Sequence, residues 1–249
     1  MSGHSKWSQI KRKKAVVDAK RGAKFTKLIR EITVAARAGG GDPEGNPRLR
    51  LAIDTGKAQN MPHENIERAI KKGTGDLEGV SYEEAMYEGY GPGGAAILVE
   101  VTTDNLNRTV AEIRHTFSKH GGNLGAPNSV AWLFERHGQI LIGAQEHDEE
   151  TALEAALEAG ADDVVKEGDQ YVITTDPTTL RSVRQGLADA GLVPEEATLA
   201  MIPKSTVHVA GKDAERLLQL MSVLEGNDDV SQVCSNFDID LETLAVAGE

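Results

Sequence analysis

The order of helix-type and strand-type segments in the second half of the chain constrains the fold more than any other feature of the sequence. Between residues 139 and 202, stretches with a period of two residues and stretches with a period of 3.6 follow each other as strand, helix, strand, strand, helix, strand. That order is the βαββαβ unit of ferredoxin-like domains. The six segments are predicted at 139–143, 148–159, 163–166, 171–175, 177–190 and 197–202.

The segments on either side of this unit give the same order when they are joined. Strand, helix and strand are predicted twice, at 95–103, 107–119 and 129–136, and again at 206–209, 214–224 and 230–237. The simplest interpretation inserts one ferredoxin-like domain, residues 137–203, into another that comprises residues 79–136 and 204–249.

The N-terminal residues 1–78 are predicted to form a basic helical domain. Apolar residues recur there at helical spacing, and turns marked by glycine and proline separate helices at 8–38, 47–59 and 62–73. The predicted fold class is therefore α+β with three domains, a helical bundle and two ferredoxin-like domains. The glycine-rich, acidic stretch 74–94 is predicted to be a linker whose hinge residues are Gly89, Gly91, Gly93 and Gly94.

Charge is distributed very unevenly along the chain. Residues 1–75 hold 17 Lys and Arg against 7 Asp and Glu, a net charge of +10. The whole chain has 27 basic and 39 acidic residues, so the remainder holds 10 and 32, a net charge of −22. A polyanion should be attracted to the N-terminal region and repelled by the rest of the molecule.

The basic N-terminal region is the candidate binding site. Residues 4–30 contain ten basic residues and one acid, Asp18, whereas an ordinary solvated helix face mixes both signs. Lysines and arginines that meet phosphates release condensed counterions, so this region is predicted to bind a nucleic-acid backbone. Trp7 is expected either to stack against a base or to pack on the helical domain. The predicted nucleic-acid-binding residues are Lys6, Trp7, Lys11, Arg12, Lys13, Lys14, Lys20, Arg21, Lys24 and Lys27.

The sequence shows no pattern of a catalytic or cofactor site. Gly89, Gly91 and Gly94 match the dinucleotide fingerprint G-x-G-x-x-G, but they precede a predicted strand instead of following one. The seven histidines are scattered and lack ligand spacing with the single cysteine, Cys234, which is predicted to be a buried strand residue. We therefore expect no catalytic residue, metal, cofactor or small-molecule substrate, and predict that the protein is not an enzyme.

The same sequence favours a cytoplasmic protein without a membrane partner. Its opening residues lack a secretory signal, and the longest apolar run, Ala95 to Val99, is far shorter than the ~20 residues that span a bilayer. A single cysteine excludes an internal disulfide and fits a reducing compartment.

Several long motifs are spread along the chain. They include Gly3-His4-Ser5-Lys6-Trp7, Phe25-Thr26-Lys27-Leu28-Ile29-Arg30-Glu31-Ile32, Asn60-Met61-Pro62, Tyr87-Glu88-Gly89-Tyr90-Gly91-Pro92-Gly93-Gly94 and Thr103-Asp104-Asn105-Leu106-Asn107-Arg108-Thr109. These motifs resemble those of the YebC/PmpR family, and the resemblance runs from end to end. The resemblance implies a helical bundle and two α/β domains, with the third inserted in the second. It also implies transcriptional regulation through DNA binding, or translational activation at the ribosome as in mitochondrial relatives.

Two functional hypotheses follow, both of a nucleic-acid-binding regulatory protein. The first is a DNA-binding transcriptional regulator. The alternative is a ribosome-associated translation factor that binds rRNA with its basic arm and turns its acidic domains to protein or solvent. The sequence leaves open whether DNA or RNA is bound, which genes or messages are regulated, which residues read bases, and whether the chain is a monomer or a dimer.

Overall fold

A computed structural model describes Trp7, residues 21–145 and residues 147–239. Three α-helices follow one another at its start: α1, Arg21–Gly39; α2, Pro47–Ala58; and α3, His63–Thr74. Their apolar faces form one buried cluster that includes Ile32, Leu49 and Ile66. The prediction of an N-terminal helical bundle is confirmed, and the part of its first helix that was predicted at 8–20 lies outside the described residues.

Asn46 joins the first two helices of the bundle. Its side-chain oxygen accepts a hydrogen bond from the backbone N–H of Leu49 at 3.1 Å, which caps α2. Its amide nitrogen donates to the carbonyl oxygens of Ala35 at 2.7 Å and Gly40 at 2.9 Å. Because Asn46 is only 5% exposed, these bonds fix the angle at which α2 leaves α1.

Close backbone packing brings α3 against α1. A Cβ atom at Gly73 would lie 2.3 Å from the carbonyl oxygen of Thr33 and 2.7 Å from the Cβ atom of Ala36. Only glycine allows this approach. As a result α3 turns one face to α1 and the other to solvent.

The first β-sheet contains strands β1, Glu83–Tyr90; β2, Ala96–Thr103; β3, Asn123–Leu124; and β9, Val230–Ser235. Its strand order is β3-β1-β2-β9, and all pairs are antiparallel. Helices α4, Leu106–Lys119, and α7, Gly211–Gly226, contribute residues to the apolar cluster on one face. The four strands are arranged as in a ferredoxin-like sheet. However, β1, which pairs with β2, comes from residues that precede the predicted unit.

The second β-sheet is the predicted ferredoxin-like unit. Its elements are β4, Phe134–Gly143; α5, Glu149–Ala159; β5, Asp163–Glu167; β6, Gln170–Thr175; α6, Leu180–Asp189; and β7, Glu196–Pro203. The strand order β5-β6-β4-β7 with antiparallel neighbours is the order of a split βαββαβ unit. The prediction of an α+β fold is confirmed, while the exact domain boundaries stay a prediction.

Two sequence predictions of local structure were wrong, and a third, the strand at 206–209, is confirmed as a strand but does not join the first sheet as predicted. Residues 83–90 form strand β1 instead of a linker, because they pair along their whole length with β2. The two strands predicted at 129–136 and 139–143 are one strand, β4, preceded by a short 3-10 turn at Ala131–Leu133. The strand predicted at 206–209 is the short β8, Val207–His208, which pairs with β10, Phe237–Asp238, apart from both sheets.

The predicted hinge glycines lie in a packed hairpin and not between domains. Residues 91–95 turn from β1 into β2, with Gly93 and Gly94 at positive φ angles of 73° and 77°. Gly89 and Gly91 are buried, and a Cβ atom at Gly89 would lie 2.6 Å from the carbonyl oxygen of Asn123. The hinge prediction is therefore wrong, since close packing explains Gly89 and Gly91, and the positive φ angles of the turn explain Gly93 and Gly94.

Candidate nucleic-acid interface

The predicted phosphate contacts are only partly covered by the described residues. Arg21 opens α1, and Lys24 is exposed on the first turns of that helix. Lys27 follows one turn later and is half-buried. The remaining predicted cations lie outside the described residues: Lys6, Lys11, Arg12, Lys13, Lys14 and Lys20.

Lys27 and Arg30 attach the bundle to the first sheet. The ammonium group of Lys27 donates to the carbonyl oxygen of Glu225 at 2.6 Å. One turn later, Nη1 of Arg30 donates to the carbonyl oxygen of Asp228 at 2.7 Å and to Oδ1 of Asp229 at 2.6 Å. Lys27 is therefore occupied within the chain, and its predicted role as a phosphate contact is not supported by this geometry.

Asp229 is the centre of that junction. Its side chain is 6% exposed and meets Arg30 on one oxygen, while Oδ2 accepts from Arg108 at 2.7 Å and Thr109 at 2.7 Å. Thr103 donates to the same oxygen at 3.0 Å. Burial opposes the charged carboxylate, but these donors outweigh it and hold the pKa of Asp229 well below its usual range.

Three further arginines of the bundle, Arg37, Arg48 and Arg50, are also bound within the chain. Arg48 donates to both carboxylate oxygens of Glu31, at 2.7 and 2.9 Å, and to Glu84 at 2.6 Å. The hydrogen bonds that Arg48 donates to Glu31 and to Glu84 raise the pKa of its guanidinium above the ordinary value. Arg37 donates to the hydroxyl of Ser81 at 2.8 Å, and Arg50 pairs with Glu44. The net positive charge of the N-terminal region therefore overstates the number of cations that a ligand can reach.

Five basic side chains of the bundle are exposed, and each has no hydrogen bond or ion pair with any of the residues that the structure describes. Three of them lie on α3, at positions i, i+3 and i+4, which are neighbours on one helix face. On the opposite face of α3, Ile66 and Ala69 are buried against the bundle core. The five side chains are Lys24, Lys57, Arg68, Lys71 and Lys72. We call the last three the α3 basic face.

Trp7 is placed differently from the sequence expectation. Its side chain is 4% exposed and belongs to the apolar cluster beneath the first sheet, together with Ile97 and Phe117. That core is distinct from the bundle core. Base stacking by Trp7 and packing on the helical domain are both wrong for this structure, because the indole is enclosed by the α/β core.

The other tryptophan of the chain, Trp132, is exposed, and the sequence analysis did not single it out. Trp132 is 66% exposed, and its indole nitrogen donates to the carbonyl oxygen of Ser129 at 3.2 Å. The loop before it is held by the buried carboxylate of Glu88, which accepts from the backbone N–H groups of Asn128, Val130 and Ala131 at 2.6–2.7 Å. A prediction of a strand at 83–90 would have drawn attention to Glu88. The glutamates and the glycine of that segment made it resemble a linker instead.

The described residues bring no catalytic or metal constellation together. No group of three or more His, Cys, Asp or Glu side chains among them is arranged to hold a metal ion. Cys234 is 1% exposed in β9, as predicted, and burial raises the pKa of its thiol to about 12. A cleft beside β4 contains His147, Asp169 and Glu195 but has no Ser, Thr, Cys or Lys in its lining. Within the described part of the chain, no helix is both long and apolar enough to cross a bilayer.

Comparison with known proteins gives full-length matches. The family model described as "TACO1/YebC protein N-terminal domain" matches residues 5–76, and that described as "TACO1/YebC second and third domain" matches residues 82–237. A "probable transcriptional regulatory protein" of Geobacter sulfurreducens is 59% identical over 244 residues, which is 98% of each chain. A protein of the same description from Acidithiobacillus ferrooxidans is 60% identical over 245 residues, again 98% of each chain.

A solved structure shows the same fold. It is described as the crystal structure of a conserved hypothetical protein from Aquifex aeolicus, and it is 52% identical in sequence with a TM-score of 0.86. The match covers 92% of this chain and 95% of that chain.

Proposed function

Since the chain belongs to the TACO1/YebC family, we propose that it is a DNA-binding transcriptional regulator that holds the phosphate backbone with its basic N-terminal helices. The proposal treats the protein as a binding protein and not as an enzyme. The relatives from Geobacter sulfurreducens and Acidithiobacillus ferrooxidans are described as probable transcriptional regulatory proteins. Such proteins act where the chromosome is, and we propose the cytoplasm as the compartment of this one.

The observation that carries the proposal is the α3 basic face. Arg68, Lys71 and Lys72 are exposed and adjacent, whereas Arg30, Arg37 and Arg48 are bound within the chain. Like charges three or four residues apart repel one another and destabilise a helix, so three adjacent cations do not stabilise α3 by themselves. A phosphate backbone removes that repulsion and releases counterions on binding.

The stabilising effect of cations at a helix C-terminus explains only part of this face. Lys71 and Lys72 lie in the last turn of α3, where they interact favourably with the helix dipole. Arg68 lies in the middle of the helix, beyond the reach of that effect. Its position favours a ligand for the whole face.

The acidic remainder of the chain supports an oriented complex. Residues 76–249 carry a net charge of −22, so a polyanion gains nothing by lying across most of that surface. The bundle should face the nucleic acid while the acidic surface faces solvent or protein. Contacts to phosphates position a protein but carry no base information, so sequence-specific contacts would have to come from other residues.

The test is a salt titration of DNA binding with the full-length protein. We expect the triple variant Arg68→Gln/Lys71→Gln/Lys72→Gln to bind a labelled duplex more weakly in fluorescence anisotropy. If all three side chains contact phosphates, the slope of log K against log salt falls in magnitude by about 2.7. The side chains are exposed, so the thermal unfolding midpoint should stay close to that of the wild type.

A matched control removes the same charge from the acidic part of the chain. Arg181, Lys212 and Arg216 are exposed cations there, and Arg181→Gln/Lys212→Gln/Arg216→Gln should keep the wild-type slope. Equal weakening by both triple variants would mean that only net charge matters and would contradict the proposal. Co-sedimentation with ribosomes at moderate salt, without affinity for duplex DNA, would favour the translation factor instead.

A further inference from the structure

Helix α4 is a cationic element within the acidic part of the chain. It contains Arg108, Arg114 and Lys119 against one acid, Glu112. Helix α5 of the second sheet contains four glutamates and no lysine or arginine. The net charge of −22 is therefore not spread evenly, and α4 is a local exception to it.

The cations of α4 lie on the side that faces solvent. Thr109, Ile113 and Phe117 are buried beneath the first sheet, which leaves the opposite side exposed. Arg114 and Lys119 are exposed, and neither forms a hydrogen bond or ion pair within the described residues. The one acid of the helix is already occupied, because Oε2 of Glu112 accepts from the amide nitrogen of Asn227 at 2.9 Å.

Hydrogen bonds and ion pairs connect α4 to the basic bundle. Residues 225–229, the end of α7 and the loop after it, receive Lys27 and Arg30 from α1 on one side and Arg108 from the start of α4 on the other. Arg30 and Arg108 meet the two oxygens of the same carboxylate, that of Asp229, at 2.6 and 2.7 Å. Asp229 therefore links α1 to the first turn of α4 by binding one arginine from each helix.

The spacing of the two exposed cations of α4 suits a backbone contact. Lys119 lies five residues after Arg114, which is about 7.5 Å along the helix axis. That is about twice the 3.4 Å spacing of charges along one DNA strand. Arg114 and Lys119 can therefore meet different phosphates of the same strand.

We propose that the exposed side of α4, through Arg114 and Lys119, is a second contact for the phosphate backbone of the nucleic acid that the bundle binds. This inference rests on the proposed function, and it assigns part of the binding to the α/β region. The junction at residues 225–229 connects the two basic surfaces through Asp229, so one nucleic acid can contact both.

The experiment compares full-length variants on a duplex of about two helical turns. Arg114→Gln/Lys119→Gln should lower the magnitude of the slope of log K against log salt by about 1.8 if both side chains contact phosphates. The control Lys212→Gln/Arg216→Gln removes two exposed cations from α7, in the same acidic region. It should leave the slope and the affinity at their wild-type values.

Each outcome decides one question. A wild-type slope in the Arg114→Gln/Lys119→Gln variant overturns the second contact while DNA binding by the bundle stands. Equal losses in the α4 and α7 variants also overturn it, because the effect would then come from net charge. If the wild-type protein binds no duplex at low salt, the proposed function itself fails, and that result is separate from either variant.

Discussion

Replacing Asp229 with Asn should loosen the junction that joins the bundle to the first sheet. The carboxylate is 6% exposed and accepts from Arg30, Thr103, Arg108 and Thr109. Asparagine has the same shape, but one of its two terminal atoms is an N–H₂ donor. Arg30 donates to one oxygen of Asp229 and Arg108 donates to the other. Whichever way the asparagine amide is oriented, its N–H₂ group therefore points at one of these two guanidinium groups.

The expected loss of stability follows from the burial of Asp229 and its arginine partners. Removing one partner of a buried ion pair costs about 3–5 kcal/mol. Asparagine keeps one acceptor oxygen, so we expect a loss of stability smaller than that range, about 2–3 kcal/mol. In a chain of this size that corresponds to a thermal midpoint lowered by roughly 5–10 °C.

Calorimetry of Asp229→Asn against Asp228→Asn measures this loss. Asp228 is the adjacent, exposed residue, and it contributes only its backbone oxygen to Arg30. Its substitution should therefore change stability by less than about 0.5 kcal/mol. Equal midpoints for Asp229→Asn, Asp228→Asn and wild type would refute the assigned role of the junction.

Acid pH provides a second readout of the same carboxylate. Its folded-state pKa is depressed, so its stabilising contribution is present above the unfolded pKa of about 3.9 and is lost as the pH falls through the folded pKa. The difference between wild type and Asp229→Asn should hold from pH 7 to about pH 4 and narrow below that value. A difference that narrows already between pH 7 and pH 5 would contradict the depressed pKa.

Three further predictions concern buried residues. Trp7→Ala should destabilise the protein by about 3–5 kcal/mol in urea unfolding, because a buried aromatic leaves a cavity, whereas an unchanged midpoint would mean that the indole is not a core residue. Gly89→Ala should cost about 1–3 kcal/mol, since its Cβ atom would lie 2.7 Å from the Phe117 ring, and a wild-type midpoint would contradict that packing. Cys234 should resist thiol reagents at pH 8 until the protein unfolds, because its pKa is raised to about 12, and rapid labelling of the native protein would contradict its burial.

The sequence predicted the second sheet better than the first for a physical reason. All elements of the second sheet are continuous in the chain, so their order alone specifies the βαββαβ unit. The first sheet draws β1 from residues 83–90, where glutamates, tyrosines and a glycine conceal the alternation of a strand. Gly89 packs closely against Phe117, and Gly91, just after the strand, packs against Leu217 and Ile97; that need cannot be read from composition.

At the candidate site, the sequence does not show which charged side chains a ligand can reach. Counting charges correctly separated a basic N-terminal region from an acidic remainder, but it could not tell a bound cation from a free one. Arg30 and Arg48 pair with acids that are distant in sequence, Asp229 and Glu84, so only the fold reveals that they are occupied. The basic side of α4 was missed for the converse reason, since it lies within a region whose average charge is strongly negative.

Lysine footprinting with and without bound DNA tests most directly the claim that the bundle grips the phosphate backbone. The full-length protein is treated with an amine-acetylating reagent, alone and with a saturating duplex, and modification is quantified by mass spectrometry. We predict strong protection of Lys24, Lys71 and Lys72, and none of Lys166 and Lys212, which are also exposed. Equal protection of both groups, or protection of Lys166 and Lys212 alone, would contradict the account.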